Sequence, residues 1–220
     1  MWDWSYALSI LPKLLSALQV TIVATLASFA VACALGLILA MLARSRYAAI
    51  RMSINGISEF IRRTPLLVQI FFLFYSIPLL TGISLPALTV GIIGLGLHYS
   101  TYLSQVYRSG IDNIDAGQWE AARALNFTPS RTWTSVILPQ ALPPIIPIMG
   151  NYLIVMFKET PLLAAITVVE LLTTAKNINA RDWRPFEPYT LVGILFLIIS
   201  MAVAVLVGLL EQRMKRRYSR

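Results

Sequence analysis

Long apolar runs alternate with short basic stretches along this chain. Leu14 to Ala43 holds no charged residue, and neither do Thr64 to Tyr107, Thr132 to Phe157 or Pro188 to Leu210. A helix needs about 20 apolar residues to cross a bilayer. The run from Thr64 is long enough for two such helices, with Thr81-Gly82-Ile83-Ser84-Leu85-Pro86 as the turn between them. The pattern predicts five membrane spans, at about 14–42, 62–80, 86–107, 137–157 and 189–210. The expected fold class is an all-α membrane protein, with a single transmembrane domain over residues 1–220.

The polar stretches orient the spans. Arg44, Arg46, Arg51, Arg62 and Arg63 follow the first span, and Arg213, Lys215, Arg216, Arg217 and Arg220 follow the last. With alternating spans, both groups share a side with Arg108, Arg123 and Arg131. The other side holds Lys13, Lys158, Lys176, Arg181 and Arg184. Excess Lys and Arg mark the cytoplasmic side, so the N-terminus is expected outside and the C-terminus inside. The net charge of +8 thereby reads as topology rather than as nucleic-acid binding. Trp2, Trp4 and Tyr6 read as anchors at the membrane interface.

Composition agrees. The chain is 57% hydrophobic and 13% charged, too apolar for an ordinary soluble domain. The one cysteine, Cys33, has no partner for an intrachain disulfide, and the one histidine, His98, has no companion for a metal site. No phosphate-binding Gly-x-x-x-x-Gly-Lys-Ser/Thr loop is present, so this chain is not an ATPase. No nucleophile–base constellation marks it as an enzyme, and no bound cofactor is expected.

The cytoplasmic stretch at about 112–138 is more elaborate than a connector requires. Asp115 followed by Gln118 fits a capping box, with helix formers from Trp119 to Leu125. Asn126 suits the left-handed position that ends a helix. Thr128 and Pro129 suit a second N-cap and first turn, with Pro139 bending or ending that second helix near Leu138. Ala121, Ala122 and Ala124 make the first helix thin. Trp119 and Leu125 offer apolar anchors for a partner's cleft, and Glu120 offers a charge. The alternative is a hairpin packed on the chain's own helix ends.

Glu120-Ala121-Ala122, with Ile137-Leu138-Pro139 downstream, resembles the Glu-Ala-Ala loop of permease subunits in binding-protein-dependent ABC importers. Asn126 stands where that family usually has Gly. Arg62-Arg63-Thr64-Pro65-Leu66-Leu67, Tyr102 to Ile111, Phe157 to Leu162 and Arg184 to Thr190 extend the resemblance to the permeases for polar amino acids, of the histidine, glutamine and arginine type. It implies a multi-pass inner-membrane subunit that moves a polar amino acid or derivative into the cytoplasm. It also implies partners: ATPase subunits that use the ATP, a second permease (identical or sibling) and an extracytoplasmic solute-binding protein. Residues Trp119, Glu120, Ala121, Ala122, Leu125 and Asn126 would carry the ATPase contact.

Gln69, Tyr75, Tyr102, Gln105 and Asn151 are polar groups inside spans. They either line a substrate pathway or bond helices together. Lys158 and Glu159 end the fourth run and are candidates to meet an amino acid's carboxylate and amino groups, or to form an interfacial ion pair. The short apolar stretch after them, Pro161 to Val169, suits a re-entrant or interfacial helix. Glu170 and Glu187 read as solvated, or as contacts to the binding protein. An ion-coupled secondary transporter or a membrane scaffold are the competing functions. Five spans do not divide into the two halves of a secondary transporter, the charge-free runs offer no proton relay, and a scaffold leaves the Glu-Ala-Ala segment unexplained.

Overall fold

In a computed structural model, residues 2–218 are described, and all regular structure among them is helical. Arg220, counted above with the basic C-terminal group, lies outside the described residues. The helices are α1 (Trp4–Leu42), α2 (Ala48–Arg63), α3 (Leu66–Thr81), α4 (Ala87–Asp112), α5 (Ala116–Ala124), α6 (Pro129–Ile166), α7 (Leu171–Asp182) and α8 (Phe186–Tyr218).

Length and apolarity qualify three helices to cross a membrane: α1, α6 and α8. The pair α2 and α3, bent by 104°, makes a fourth if it is one span. The expected span at 86–107 coincides with α4, but that helix is less apolar than the others. The reason is its place at the centre of the bundle. His98, Ser100, Thr101 and Ser104 are all buried there against neighbouring helices, so α4 is solvated by protein rather than by lipid. Three or four of the five expected spans thus qualify by length and apolarity alone, and α4 is the helix at the place of the remaining one.

Helix α4 packs chiefly on α1. A Cβ on Gly96 would lie 2.5 Å from Val31 Cγ1, so only glycine permits this approach. Leu95, Leu103, Ile70, Met156 and Leu163 are fully buried around it. The ends of the bundle are tied by polar contacts. At one end Arg44, just past α1, pairs with Asp112 of α4. At the other, Tyr6 donates to Asp182 Oδ2 at 2.6 Å and Arg184 bonds both Asp3 (3.2 Å) and Glu187 (2.8 Å).

Helix α2 falls where only a basic connector was expected. Its polar face, not its apolar face, turns toward the protein. Ser58 is buried, Arg62 donates to the Thr101 carbonyl at 3.0 Å, and Arg108 of α4 donates to Asn55 at 3.2 Å. Ile57 and Phe60 point outward. The chain then bends at Thr64-Pro65, because proline disfavours a helical conformation in the residue before it.

Two helices contain one wide turn each, and each lies just before a proline. Ile77 N–H bonds the Phe72 carbonyl ahead of Pro78, and Leu138 N–H bonds the Trp133 carbonyl ahead of Pro139. Of the two outcomes expected at Pro139, bending or ending the helix, ending does not occur. The extra residue absorbs the ring and the missing N–H, and α6 runs on into the membrane.

The stretch after Glu159 forms a tight 3₁₀ turn, Thr160–Ile166, closed by Thr167 at φ 67°. Leu163 and Ile166 are fully buried, so this segment sits inside protein. Glu170 and Glu187 are also buried, which corrects the expectation of a solvated or partner-facing surface. Glu170 caps α7, accepting from the N–H groups of Leu172 (2.8 Å) and Thr173 (2.7 Å). Glu187 accepts from the Asp3 N–H at 3.0 Å.

Candidate functional site

The hairpin of α5 and the start of α6 has the caps its sequence encodes. The Asp115 carboxylate accepts from Gly117 N–H at 2.6 Å. Gln118 does not reach back to complete the capping box; its side chain accepts from Gln140 Nε2 at 3.0 Å. Helix α5 ends in a full Schellman motif. Phe127 N–H bonds the Ala122 carbonyl (3.0 Å), Asn126 N–H bonds the Arg123 carbonyl (2.9 Å), and Asn126 takes φ 53°. Thr128 then accepts from Arg131 N–H at 3.3 Å, and the Arg131 guanidinium lies 4.3 Å from the Phe127 ring centroid.

The hairpin's inner side is fixed to the chain itself. Trp119 stacks edge-on against Trp133, with centroids 5.4 Å apart, over Ile111, Ile137 and Ala141. Ala122 is also buried, at 2% exposure. Of the six residues expected at the ATPase contact, Trp119 and Ala122 thus face inward. At about 100° per residue, Glu120, Ala121, Ala124 and Leu125 share the opposite face. All four are exposed, as is Asn126. This outer face is narrow, with one carboxylate and one large apolar side chain.

A second site lies within the bundle. On α4, His98 lies against Tyr99 and Tyr102 (ring centroids 5.3 and 5.4 Å apart), and both tyrosines meet Tyr152 of α6 at 6.0 and 5.9 Å. The Tyr99 hydroxyl donates to Glu159 Oε2 at 2.6 Å. Gln69 Nε2 donates to the carbonyls of Ile61 (2.7 Å) and Thr64 (3.1 Å), which places its Oε1 toward His98 Nδ1 at 3.1 Å. Nδ1 therefore carries the proton. Gln69 caps the end of α2 at the bend and ties it to α4. The cluster offers several electron-rich ring faces beside one carboxylate, which is chemistry suited to an ammonium or guanidinium group.

The other expected pathway residues are dispersed. Tyr75 is half-exposed and donates to the Ala165 carbonyl at 3.3 Å. Gln105 is exposed on α4. Asn151 lines a separate cavity of about 750 Å³ that also touches Asp115 and Gln140. Lys158 is exposed and makes no ion pair with Glu159 among the described residues. Gln69, Tyr102 and Glu159 are the three that come together. The sequence pattern leaves out Tyr99 and Tyr152 and sets His98 apart as a lone histidine; it is buried and bonded to Gln69. The spacing of Tyr99 and Tyr102, three apart on one helical face, was the available signal.

Comparison with known proteins gives consistent matches. A family model described as the inner membrane component of binding-protein-dependent transport systems matches residues 32–216. A probable amino-acid ABC transporter permease of Sinorhizobium fredii is 42% identical over 98% of this chain and 93% of its own length. A putative glutamine transport system permease of Rickettsia typhi is 30% identical over 95% and 97%. Among solved structures, an amino acid ABC transporter crystallised with histidines superposes with a TM-score of 0.88, at 31% identity, covering 97% of this chain and 99% of its own. The inward-facing MetNI methionine ABC transporter shares the fold alone, with a TM-score of 0.73 at 16% identity.

Proposed function

This chain belongs to the family of inner membrane components of binding-protein-dependent transport systems, and from that premise we propose which solute it passes and how it is driven. It is a multi-pass permease subunit of an ABC importer, a transport subunit rather than an enzyme. The proposed cargo is a polar amino acid or a close derivative, moving into the cytoplasm. Relatives named for amino-acid and glutamine transport support that class.

The proposed drive is ATP hydrolysis by separate ATPase subunits, with no cofactor held by this chain. A second permease, identical or sibling, and an extracytoplasmic binding protein complete the assembly. The N-terminus lies outside and the hairpin inside. The observation that carries this reading is the hairpin's outer face. Glu120, Ala121, Ala124 and Leu125 stay exposed while Trp119 and Ala122 pin the other side to the membrane helices. Force on that face would pass directly into α4 and α6. Within the bundle, Glu159 and the Tyr99, Tyr102 and Tyr152 rings are the proposed contacts for the amino group of the cargo.

Cross-linking tests the drive. A cysteine at Ala124 should cross-link to the ATPase subunit in the assembled complex, and a cysteine at Ser5 should not. Cross-linking from Ser5 and none from Ala124 would reverse the topology and remove the hairpin's role.

A further inference from the structure

Helix α6 leaves the membrane through its wide turn, Trp133–Ile137, and that turn joins it to the hairpin. A regular helix would need the N–H of residue 139 to bond the Ser135 carbonyl. Proline has no N–H, and its ring collides with that carbonyl. The chain inserts one extra residue instead, so that Leu138 N–H reaches back to Trp133. The same solution precedes Pro78. Pro143, Pro144 and Pro147 lie further along α6 within an ordinary helical stretch. A wide turn is thus a specific choice at Pro139, not a general consequence of proline in this helix.

What hangs on that turn is the hairpin. Trp133, its first residue, stacks on Trp119. Gln140 Nε2 donates both to the Val136 carbonyl inside the turn (2.9 Å) and to Gln118 Oε1 on α5 (3.0 Å). One residue of register is about 100° of rotation in a helix. A regular helix here would swing Trp133 off Trp119 and turn the outer face of α5 elsewhere.

We propose that Pro139 is a positioning residue for coupling: by holding the wide turn, it fixes the rotation of the hairpin relative to the membrane helix. This rests on the reading of the hairpin as the ATPase contact. Single-residue wide turns in helices recur at functional sites, and this one lies where an ATP-driven displacement would enter the membrane.

The test uses the complete reconstituted transporter. Pro139→Ala restores the missing donor and permits the regular register. Binding-protein-stimulated ATP hydrolysis, relative to basal hydrolysis, should fall about tenfold, a size usual for coupling between sites. Spin labels at Ser130 and Ile148 should report a changed distance. Pro144→Ala should change neither. The decisive variant combines Pro139→Ala with deletion of the exposed Ser135. Removing the extra residue gives a regular helix with the hairpin back in its original phase, so stimulation should recover to within about twofold of the unmodified complex, far less than the loss typical of broken coupling. That recovery is also the readout if Pro139→Ala alone assembles poorly. With the Ala124 cross-link to the ATPase intact, unchanged stimulation in Pro139→Ala, or no recovery in the double variant, overturns the role of Pro139. Absence of the Ala124 cross-link in the unmodified complex is the separate failure of the coupling reading.

Discussion

The Tyr99 hydroxyl donates to Glu159 Oε2 at 2.6 Å, joining the central helix α4 to the end of the membrane stretch of α6. The Tyr99 ring in turn contacts Tyr102 and Tyr152, and Lys158, next to Glu159, is exposed and makes no ion pair with it among the described residues. If Glu159 meets the cargo's amino group, Glu159→Gln removes the charge but keeps the shape. Uptake should fall by about tenfold or more, because hydrogen bonds to charged groups contribute about 1.5–3 kcal/mol. Tyr99→Phe should cost less, since it leaves the carboxylate in place. Complex yield should be unchanged in both. Uptake at unmodified levels in Glu159→Gln would assign the carboxylate to structure alone.

Asn126 sits at φ 53° in a Schellman motif, a conformation that glycine adopts freely and a β-branched residue resists. Asn126→Gly should leave stability and stimulated hydrolysis nearly unchanged. Asn126→Val should cost about 1–2 kcal/mol at that turn and reduce stimulation by displacing Glu120 and Ala121. Thermal unfolding and ATPase assays on both variants decide it. Equal behaviour of the two would mean that the turn does not present the face.

The end of the bundle away from the hairpin has a pH signature. Asp3 is held down to about 2, first by the Ser5 hydroxyl and then by the Tyr6 N–H. Asp182 is also lowered, by Arg181 and by the Tyr6 hydroxyl. A carboxyl depressed in the folded state stabilises it fully above its unfolded value, near 3.8, and loses that contribution as pH falls toward 2. Asp3→Asn should therefore lower the melting temperature by a few degrees near neutral pH. The difference from the unmodified protein should shrink below pH 3.8 and vanish only as pH falls through and below about 2. A difference that grows on acidification has the wrong sign for this arrangement.

Local chemistry was legible in the sequence, and tertiary context was not. Asn126, Thr128 and Pro129 each act through backbone preferences within a few residues, and each does in the structure what its residue type favours. Helix α2 was missed because its arginines and its lack of a long apolar run made it look like a connector. Its inward polar face depends on Thr101 and Arg108 of α4, far along the chain. Glu170 and Glu187 looked solvated because burial of a carboxylate requires donors that no local pattern reveals. Asp3 is 184 positions from the Glu187 it bonds. Of the pathway residues, Gln69, Tyr102 and Glu159 converge, but only because α3, α4 and α6 meet around His98, Tyr99 and Tyr152.

The sharpest contrast lies between adjacent alanines. Ala121 is exposed on the hairpin's outer face, and Ala122 is 2% exposed against the chain's own helices. From the sequence both are candidates to touch the ATPase. The structure separates them. Ala122→Trp overfills a closed space, at a cost of about 1–3 kcal/mol or more, so it should lower the yield and melting temperature of the chain before any partner is added. Ala121→Trp meets no internal neighbour. It should leave yield and melting temperature unchanged and reduce binding-protein-stimulated hydrolysis about tenfold, because the thin face no longer fits its cleft. Melting curves of the isolated chain and hydrolysis by the assembled complex read the two effects apart. Full stimulated hydrolysis in Ala121→Trp would mean that this face does not dock, and the drive would then have to enter the membrane domain elsewhere.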